Sequence, residues 1–342
     1  MQSSPSHQNY SAILLGILTT MTVAYGCTPQ RNETQKQPID KEVLDITVSV
    51  EPQKYFVEKI GGDRVKVNVM VSAGSEPHTY EPKPQQLRDL AKAEAYIIVG
   101  GDSFETAWLP RIKSVNNNLA VIDSGEGVAR IKIDSAHHHH HHHHHEEEEK
   151  VKESGDPHIW LAPSAVKIQA KNIYEGLIKI DPANQLEYEQ NLEEFITEID
   201  SLDDKIEANL AGIKNRKFIV FHPAWSYFAR EYNLEQIAIE VEGTEPSAAE
   251  LKDLIATAKQ ENIKIIFIEP QFSKRSAEVI AKEIDGKVIE IDPLAPDWAN
   301  NLLKVSEIFA NELDREERSN KIMLLGTIKI EPKYRSRLKQ TE

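Results

Sequence analysis

Isolated histidines are the residues of this chain best suited to metal chemistry. The chain has thirteen histidines, of which nine are consecutive, and outside that run only His7, His78, His158 and His222 occur. His7 lies in an N-terminal segment that we interpret below as a removable leader. The other three stand in distinct contexts: Glu-Pro-His-Thr, Asp-Pro-His-Ile and Phe-His-Pro-Ala. Because imidazole is a common metal ligand, this distribution predicts a metal site assembled from distant loops.

Two carboxylates follow predicted strands in the second half of the chain. Asp292 comes directly after the run 288–291, and Glu269 follows the run 263–268. Open α/β sheets bind ligands at the carboxyl ends of their strands. Three imidazoles and Asp292 form a four-ligand set that suits Zn²⁺. We interpret Glu269 as a residue that orients a histidine or fixes a loop, with direct ligation as the alternative.

Short β-branched runs alternate with helical segments from Asp45 onward, which predicts an α/β fold. The predicted strands are 46–50, 65–71, 95–99, 120–122, 218–221, 263–268 and 288–291, and the predicted helices include 84–93, 247–259 and 273–284. Several strands are continuous apolar runs, as is typical of parallel sheets covered on both faces. A long helical region, Ser164 to Leu210, is interrupted at Asp181-Pro182 and separates four predicted strands from three. Two lobes with mainly parallel sheets, joined through helix, are the simplest organisation.

The single cysteine, Cys27, ends an apolar N-terminal segment. One cysteine excludes an intramolecular disulfide and a cysteine-rich zinc module. The apolar segment is short for a membrane-spanning helix and is typical of a secretory signal, so we expect a signal peptide at residues 1–26 and a flexible linker at 27–42. The small residue before Cys27 resembles a bacterial lipoprotein processing site. Lipidation of Cys27, with membrane association, is therefore expected, and an ordinary cleaved signal is the alternative.

Two further segments differ from the rest in composition. Residues 134–155 contain the histidine run and four consecutive glutamates without apolar periodicity, which predicts an exposed, disordered loop that binds additional metal ions weakly. The candidate ligands of this His/Glu-rich loop are His137, His138, His139, His140, His141, His142, His143, His144 and His145. Residues 313–342 form a basic tail to which we assign no function. The formal net charge of −15 argues against a nucleic-acid partner.

Five motifs resemble the solute-binding proteins of bacterial ABC importers for zinc and manganese, and most closely the zinc-specific periplasmic members. The motifs span Gly74 to Pro82, Asp156 to Leu161, Phe221 to Phe228, Ile268 to Phe272 and Ile291 to Leu294. The resemblance implies an N-terminal lobe at 43–162, a rigid bridging helix at 163–180 and a C-terminal lobe at 181–312. It also implies that the metal is buried in the cleft between the lobes, bound by His78, His158, His222 and Asp292.

The third of these ligands indicates the metal. Manganese-binding relatives typically have glutamate there, whereas His222 makes the site rich in nitrogen and favours zinc. The resemblance then implies a non-enzymatic, monomeric protein of the periplasm or the outer face of the cytoplasmic membrane, which captures Zn²⁺ for an ABC permease. The ATPase is expected on another chain, because no phosphate-binding Gly-Lys-Ser/Thr motif occurs here.

Three alternatives remain open from the residues alone. One is a manganese-binding protein of the same family, and another is a metal-storage or adhesion protein. The third is an exported zinc hydrolase, in which Glu269 or Glu76 would act as a base beside a metal-bound water. The sequence gives the hydrolase little support, since it contains neither a His-Glu-x-x-His helix nor a Gly-x-Ser-x-Gly elbow.

Overall fold

Two parallel β-sheets form the framework of the protein. The computed structural model describes residues 43–72, 74–77, 79–132, 155–240 and 244–313. Within these ranges the first sheet contains β1 (Leu44–Val50), β2 (Val65–Val71), β3 (Ala95–Ile98) and β4 (Ala120–Asp123). The second contains β5 (Lys217–Val220), β6 (Glu235–Ala238), β7 (Ile265–Ile268) and β8 (Lys287–Glu290). The strand orders are β2-β1-β3-β4 and β6-β5-β7-β8, so both lobes have the same topology.

Every pairing within these sheets is parallel, as the apolar runs predict. The inner strands β3 and β7 are buried along their whole length, because helices cover both faces of each sheet. The helices of the first lobe are α1 (Glu51–Gly61), α2 (Pro84–Leu90) and α3 (Ser103–Val115). Those of the second are α6 (Ser226–Glu231), α7 (Ala248–Gln260), α8 (Arg275–Glu283) and α9 (Trp298–Leu313).

Two consecutive helices connect the lobes. They are α4 (Pro163–Ile180) and α5 (Gln185–Leu210), separated by a short turn at Pro182–Asn184. The break falls where Asp181-Pro182 predicts it, because proline cannot donate the backbone hydrogen bond that a continuous helix requires. Among the described residues, no helix is long and apolar enough to cross a membrane.

Helix α4 contacts both lobes, as the predicted bridging helix 163–180 requires. At its N-terminal end, the Ser164 hydroxyl donates a hydrogen bond to Glu231 of α6 at 2.7 Å. Toward its C-terminal end, Gly176 packs so closely on Ile122 of β4 that a Cβ atom there would lie 2.4 Å from the isoleucine side chain. These contacts link the second lobe to the edge of the first sheet.

Helix α5 bridges the lobes as well, whereas the resemblance assigns its residues to the C-terminal lobe. Asn191 donates to the carbonyl of Ile60 in α1 at 2.9 Å, and Asn209 bonds to Ser306 of α9 at 2.9 Å. The buried apolar side chains continue without interruption from the first sheet to β5 and β7. Two helices and a shared hydrophobic core therefore hold the two lobes together, rather than one helix alone.

The prediction of three strands in the second lobe was wrong, since β6 is a fourth. Its sequence, Glu-Gln-Ile-Ala, is short and only half apolar, and as an edge strand it is partly exposed. Neither alternation nor an apolar run marks such a strand. The predicted signal peptide, the linker, residues 134–154 of the predicted loop and residues 314–342 of the basic tail lie outside the described residues.

Candidate metal centre

The imidazole of His158 is fixed by a carboxylate two residues earlier in the chain. His158 is buried and precedes a short 3-10 turn, Ile159–Leu161, that leads into α4. Its Nδ1 lies 2.8 Å from Oδ1 of Asp156, and its backbone N–H donates to the same oxygen at 2.9 Å. An acceptor at Nδ1 places the ring proton there and leaves the lone pair of Nε2 for another partner.

Asp156 is suited to this role because it stays ionised. Burial alone would raise the pKa of its carboxyl group, but the interactions with the ring and backbone N–H of His158 and a hydrogen bond from Ser226 outweigh burial and lower the pKa. An ionised carboxylate makes the imidazole a better donor to a cation, since it supports positive charge on the ring.

The imidazole of His222 is fixed in the same manner by a carboxylate from another strand. His222 follows β5, and its Nδ1 lies 3.0 and 3.1 Å from the two carboxylate oxygens of Glu240, just after β6. Its ring stacks on Phe272 with a centroid separation of 5.2 Å and an angle of 24°. The ring is therefore held at one nitrogen and along one face.

The two imidazoles face each other through their other nitrogens. Nε2 of His158 lies 3.3 Å from Nε2 of His222. Two lone pairs at this distance repel each other unless a cation or a proton lies between them. A tetrahedral Zn²⁺ with Zn–N bonds of about 2.0–2.1 Å holds two of its nitrogen ligands about 3.3–3.4 Å apart. The observed separation therefore matches that of two ligands on one zinc ion.

Glu269 supports the turn that carries His222. It is fully buried, and its Oε2 accepts a hydrogen bond from the backbone N–H of His222 at 3.2 Å. Burial raises the pKa of this carboxyl group well above its usual range, with smaller contributions from nearby Glu240 and Glu76. The observed contact is of the kind that fixes a loop.

Asp292 lies at the start of the turn after β8. Its Oδ1 accepts hydrogen bonds from the backbone N–H of Leu294 at 2.9 Å and from Nε2 of Gln271 at 3.2 Å. This turn contacts the His158 segment, because Trp160 donates from its indole nitrogen to the carbonyl of Pro293 at 2.7 Å. This hydrogen bond thus links the turn that carries Asp292 to the segment that carries His158.

The described residues contain part of the predicted ligand set. His78 lies outside them, although its neighbours Glu76 and Pro77 line the same cavity as the two imidazoles. Among the described side chains, no group of three His, Cys, Asp or Glu residues converges as metal ligands. The His/Glu-rich loop histidines and Cys27 also fall outside the described residues.

The cavity beside the imidazoles is small. Its volume of about 10 Å³ is close to the space that one water-sized particle needs. It is lined by Glu76, Pro77, His158, Trp160, His222, Gln271, Phe272, Pro293 and Leu294. The walls combine nitrogen and oxygen donors with apolar surfaces. Such a cavity has room for a single ion.

Sequence reasoning missed the partners that orient the imidazoles. The Asp-Pro-His motif contains Asp156, and its spacing of two residues is the signal that could have identified it. Glu240 carried no such signal, because its position depends on the unpredicted strand β6. Trp225, three residues after His222, packs on Phe228 with a centroid separation of 5.9 Å and does not line the cavity.

Two parallel α/β lobes joined by helices, with carboxylate-bonded imidazoles facing one another, have the features of a metal-binding protein of the solute-binding class. Residues 46–309 match the family described as zinc-uptake complex component A, periplasmic. The chain is 31% identical over 255 residues to the high-affinity zinc uptake system protein ZnuA of Bacillus subtilis, covering 73% of this chain and 78% of that one. The chain therefore belongs to the family of periplasmic zinc-uptake components.

Solved structures agree with this assignment. A crystal structure of ZnuA is 48% identical, has a TM-score of 0.73 and covers 79% of this chain and 99% of that chain. A ZnuA deletion mutant with zinc bound is also 48% identical, with a TM-score of 0.71 and coverage of 79% and 98%. The laminin-binding protein Lmb of Streptococcus agalactiae, at 22% identity and a TM-score of 0.69, covers 79% of this chain and 99% of its own and shares the fold.

Proposed function

We propose that this protein captures one Zn²⁺ ion with His78, His158, His222 and Asp292 and delivers it to the permease of an ABC importer. The observation that carries the proposal is the 3.3 Å separation between the Nε2 atoms of His158 and His222. Both rings are bonded through Nδ1 to carboxylates, and it is their Nε2 atoms that would bind one cation. His78 and Asp292 complete a tetrahedral set.

Zinc is the metal that these donors favour. Imidazole nitrogen is a borderline-soft ligand that suits Zn²⁺, whereas Mn²⁺ prefers oxygen. The relatives point the same way, since the uptake protein of Bacillus subtilis is named for zinc and a 48% identical structure contains it. We therefore do not favour the manganese alternative.

The protein acts outside the cytoplasmic membrane in this proposal. The matching family is described as periplasmic, and residues 1–26 have the composition of an export signal. Lipidation of Cys27 would keep the protein at the membrane surface, near its permease. The energy for import comes from an ATPase on another chain, and this protein supplies binding without catalysis. The proteins it resembles are named for uptake and binding, which supports that role.

Metal analysis and import assays test the proposal together. Protein purified without added metal should contain one tightly bound zinc per chain, even after deletion of residues 136–150. A strain that lacks the protein should grow poorly at low zinc and recover with the intact chain. The His158→Ala, His222→Ala double variant should not restore growth, whereas the deletion variant should, although it lacks nine histidines. Growth restored equally by both variants would exclude this site as the source of imported zinc.

A further inference from the structure

A buried tyrosine of the second lobe is bonded to the chain segment that carries His158. Tyr227 lies in α6 and is fully buried. Its hydroxyl group donates a hydrogen bond to the carbonyl of Asp156 at 2.8 Å and accepts one from the backbone N–H of Ile131 at 3.1 Å. Ile131 and Asp156 are themselves paired, since the Asp156 N–H donates to the Ile131 carbonyl at 2.8 Å. We refer to Tyr227, Ile131 and Asp156 as the Tyr227 link.

The surroundings of the link hold the tyrosine in place. The Arg230 guanidinium lies over the Tyr227 ring, 5.0 Å from its centroid. Gly155 allows the close pairing of the two backbone segments, because a Cβ atom there would lie 2.8 Å from the Ile131 carbonyl oxygen and 2.7 Å from Cβ of Arg130. Burial raises the pKa of the Tyr227 hydroxyl group, so it keeps its proton at neutral pH and can donate.

The link closes a ring of contacts through the metal centre. His222 and Tyr227 belong to one short segment, in which His222 follows β5 and Tyr227 is the second residue of α6. Asp156 and His158 belong to another, and the Asp156 carboxylate accepts both the ring and the backbone N–H of His158. The contacts between the two segments include those at the Tyr227 hydroxyl and at the facing Nε2 atoms.

We propose that Tyr227 is a positioning residue for zinc, which sets the distance between the His158 and His222 imidazoles by bonding the Asp156 turn to α6. This inference rests on the proposed zinc site. It adds that affinity and residence time depend on a hydroxyl group that does not touch the metal. Separation of the two imidazoles would require the Tyr227 bonds to break or stretch as well, so the link slows release of the ion.

The test compares Tyr227→Phe with Tyr232→Phe. Both variants keep a buried ring near α6 and lose a hydroxyl bond, but Tyr232 donates to Asp203 at 2.8 Å, away from the site. We expect Tyr227→Phe to weaken zinc binding about tenfold, mainly through faster release to a chelator, because two backbone groups lose their partner. Tyr232→Phe should leave zinc binding unchanged at a similar loss of thermal stability. Equal zinc affinity and release rates in the two variants would overturn the proposal.

A double-mutant cycle shows whether Tyr227 acts through the His158 turn. The effect of Tyr227→Phe should shrink when Asp156→Ala is already present, but it should remain full beside Glu240→Ala. Full additivity with Asp156→Ala would contradict the proposed route. The absorption spectrum of bound Co²⁺ should also change in Tyr227→Phe and not in Tyr232→Phe, since it reports the arrangement of the ligands.

Hydrogen exchange in the unaltered protein provides a test that does not depend on the variant folding. The Ile131 amide, which donates to Tyr227, should become better protected when zinc is added, and equal protection with and without zinc would refute the link. The proposed function is judged separately, by zinc binding to the unaltered chain and its loss in His222→Ala. If the unaltered chain bound no zinc, the function and this inference would both fall. If it bound zinc and Tyr227→Phe matched Tyr232→Phe, only the inference would fall.

Discussion

The two turns that present the facing imidazoles obtain their orienting carboxylates in different ways. Asp156 stands two residues before His158, within the same turn. Glu240 stands 18 residues after His222 and contacts it from the end of the neighbouring strand β6. It is placed there by strand pairing: Val220 pairs with Ala238, and the Glu240 N–H donates to the Phe221 carbonyl at 3.0 Å.

The difference teaches that equivalent ligand geometry can depend on local sequence on one side of a site and on topology on the other. The His158 turn contains its own orienting group, whereas the His222 turn is complete only when β5 and β6 have paired. Glu269 adds to this dependence, because it binds the His222 backbone from the end of β7. Changes at the edge of the second sheet should therefore affect His222 and leave the His158 turn intact.

Removal of either imidazole should have the largest effect on zinc affinity. The effect should be similar for the two turns, although their orienting carboxylates have different origins. We expect His158→Ala and His222→Ala each to weaken zinc binding by well over the roughly 10–100-fold that follows loss of an outer partner, since each removes a direct ligand. Competition with a chelator of known affinity measures the change in protein without residues 136–150. Binding as tight as that of the intact site would show that the altered histidine is not a ligand.

Acidification tests both turns at once. Imidazole must be neutral to bind a cation, and an unperturbed imidazole titrates near pH 6.5. Between pH 7 and 5, proton competition should therefore weaken binding steeply. Zinc titrations at several pH values across this interval measure the slope. A flat profile would exclude histidine as the main donor.

Replacement of the orienting carboxylates should have smaller effects, and each replacement should affect only one of the two turns. We expect Asp156→Ala and Glu240→Ala each to weaken zinc binding about 10–100-fold, because the imidazole loses the acceptor at Nδ1. Asp156→Asn and Glu240→Gln keep an oxygen acceptor and should recover part of the loss. Calorimetric titration of the four variants gives the comparison. An unchanged affinity in Asp156→Ala would mean that the backbone of the turn positions His158 without its carboxylate.

The same contrast explains what the sequence could predict. The α/β class, seven of the strands and the break between α4 and α5 followed from apolar runs and from Asp181-Pro182, because those signals are local. The pairing of His158 with Asp156 was also available from local spacing. Strand β6 and the role of Glu240 could not be predicted, since a short edge strand has no distinctive sequence pattern. The residues beside it depend on how the strands pair in the folded sheet. The helical region that contains α5 was predicted, but the contacts of α5 with α1 and α9 were not, because they are tertiary.

Deletion of residues 136–150 should have the smallest effect on the tight site. The nine histidines there offer many equivalent arrangements, so we expect them to bind additional ions weakly and reversibly. Isothermal titration should show one tight zinc in both proteins, with the weaker phase missing from the deletion variant. Loss of the tight phase in a folded deletion protein would mean that this segment contributes to the tight site.

X-ray absorption spectroscopy of the zinc-loaded deletion variant tests the central claim most directly. The signal then comes from the tight site alone, because the histidine run is absent. We predict four-coordinate zinc with three imidazole nitrogens and one carboxylate oxygen, at distances of about 2.0–2.2 Å. His222→Ala should lose one imidazole from this shell or fail to retain the metal. A shell of six oxygens, or one with fewer than two imidazoles, would contradict the assignment of His158 and His222 as facing ligands of one ion.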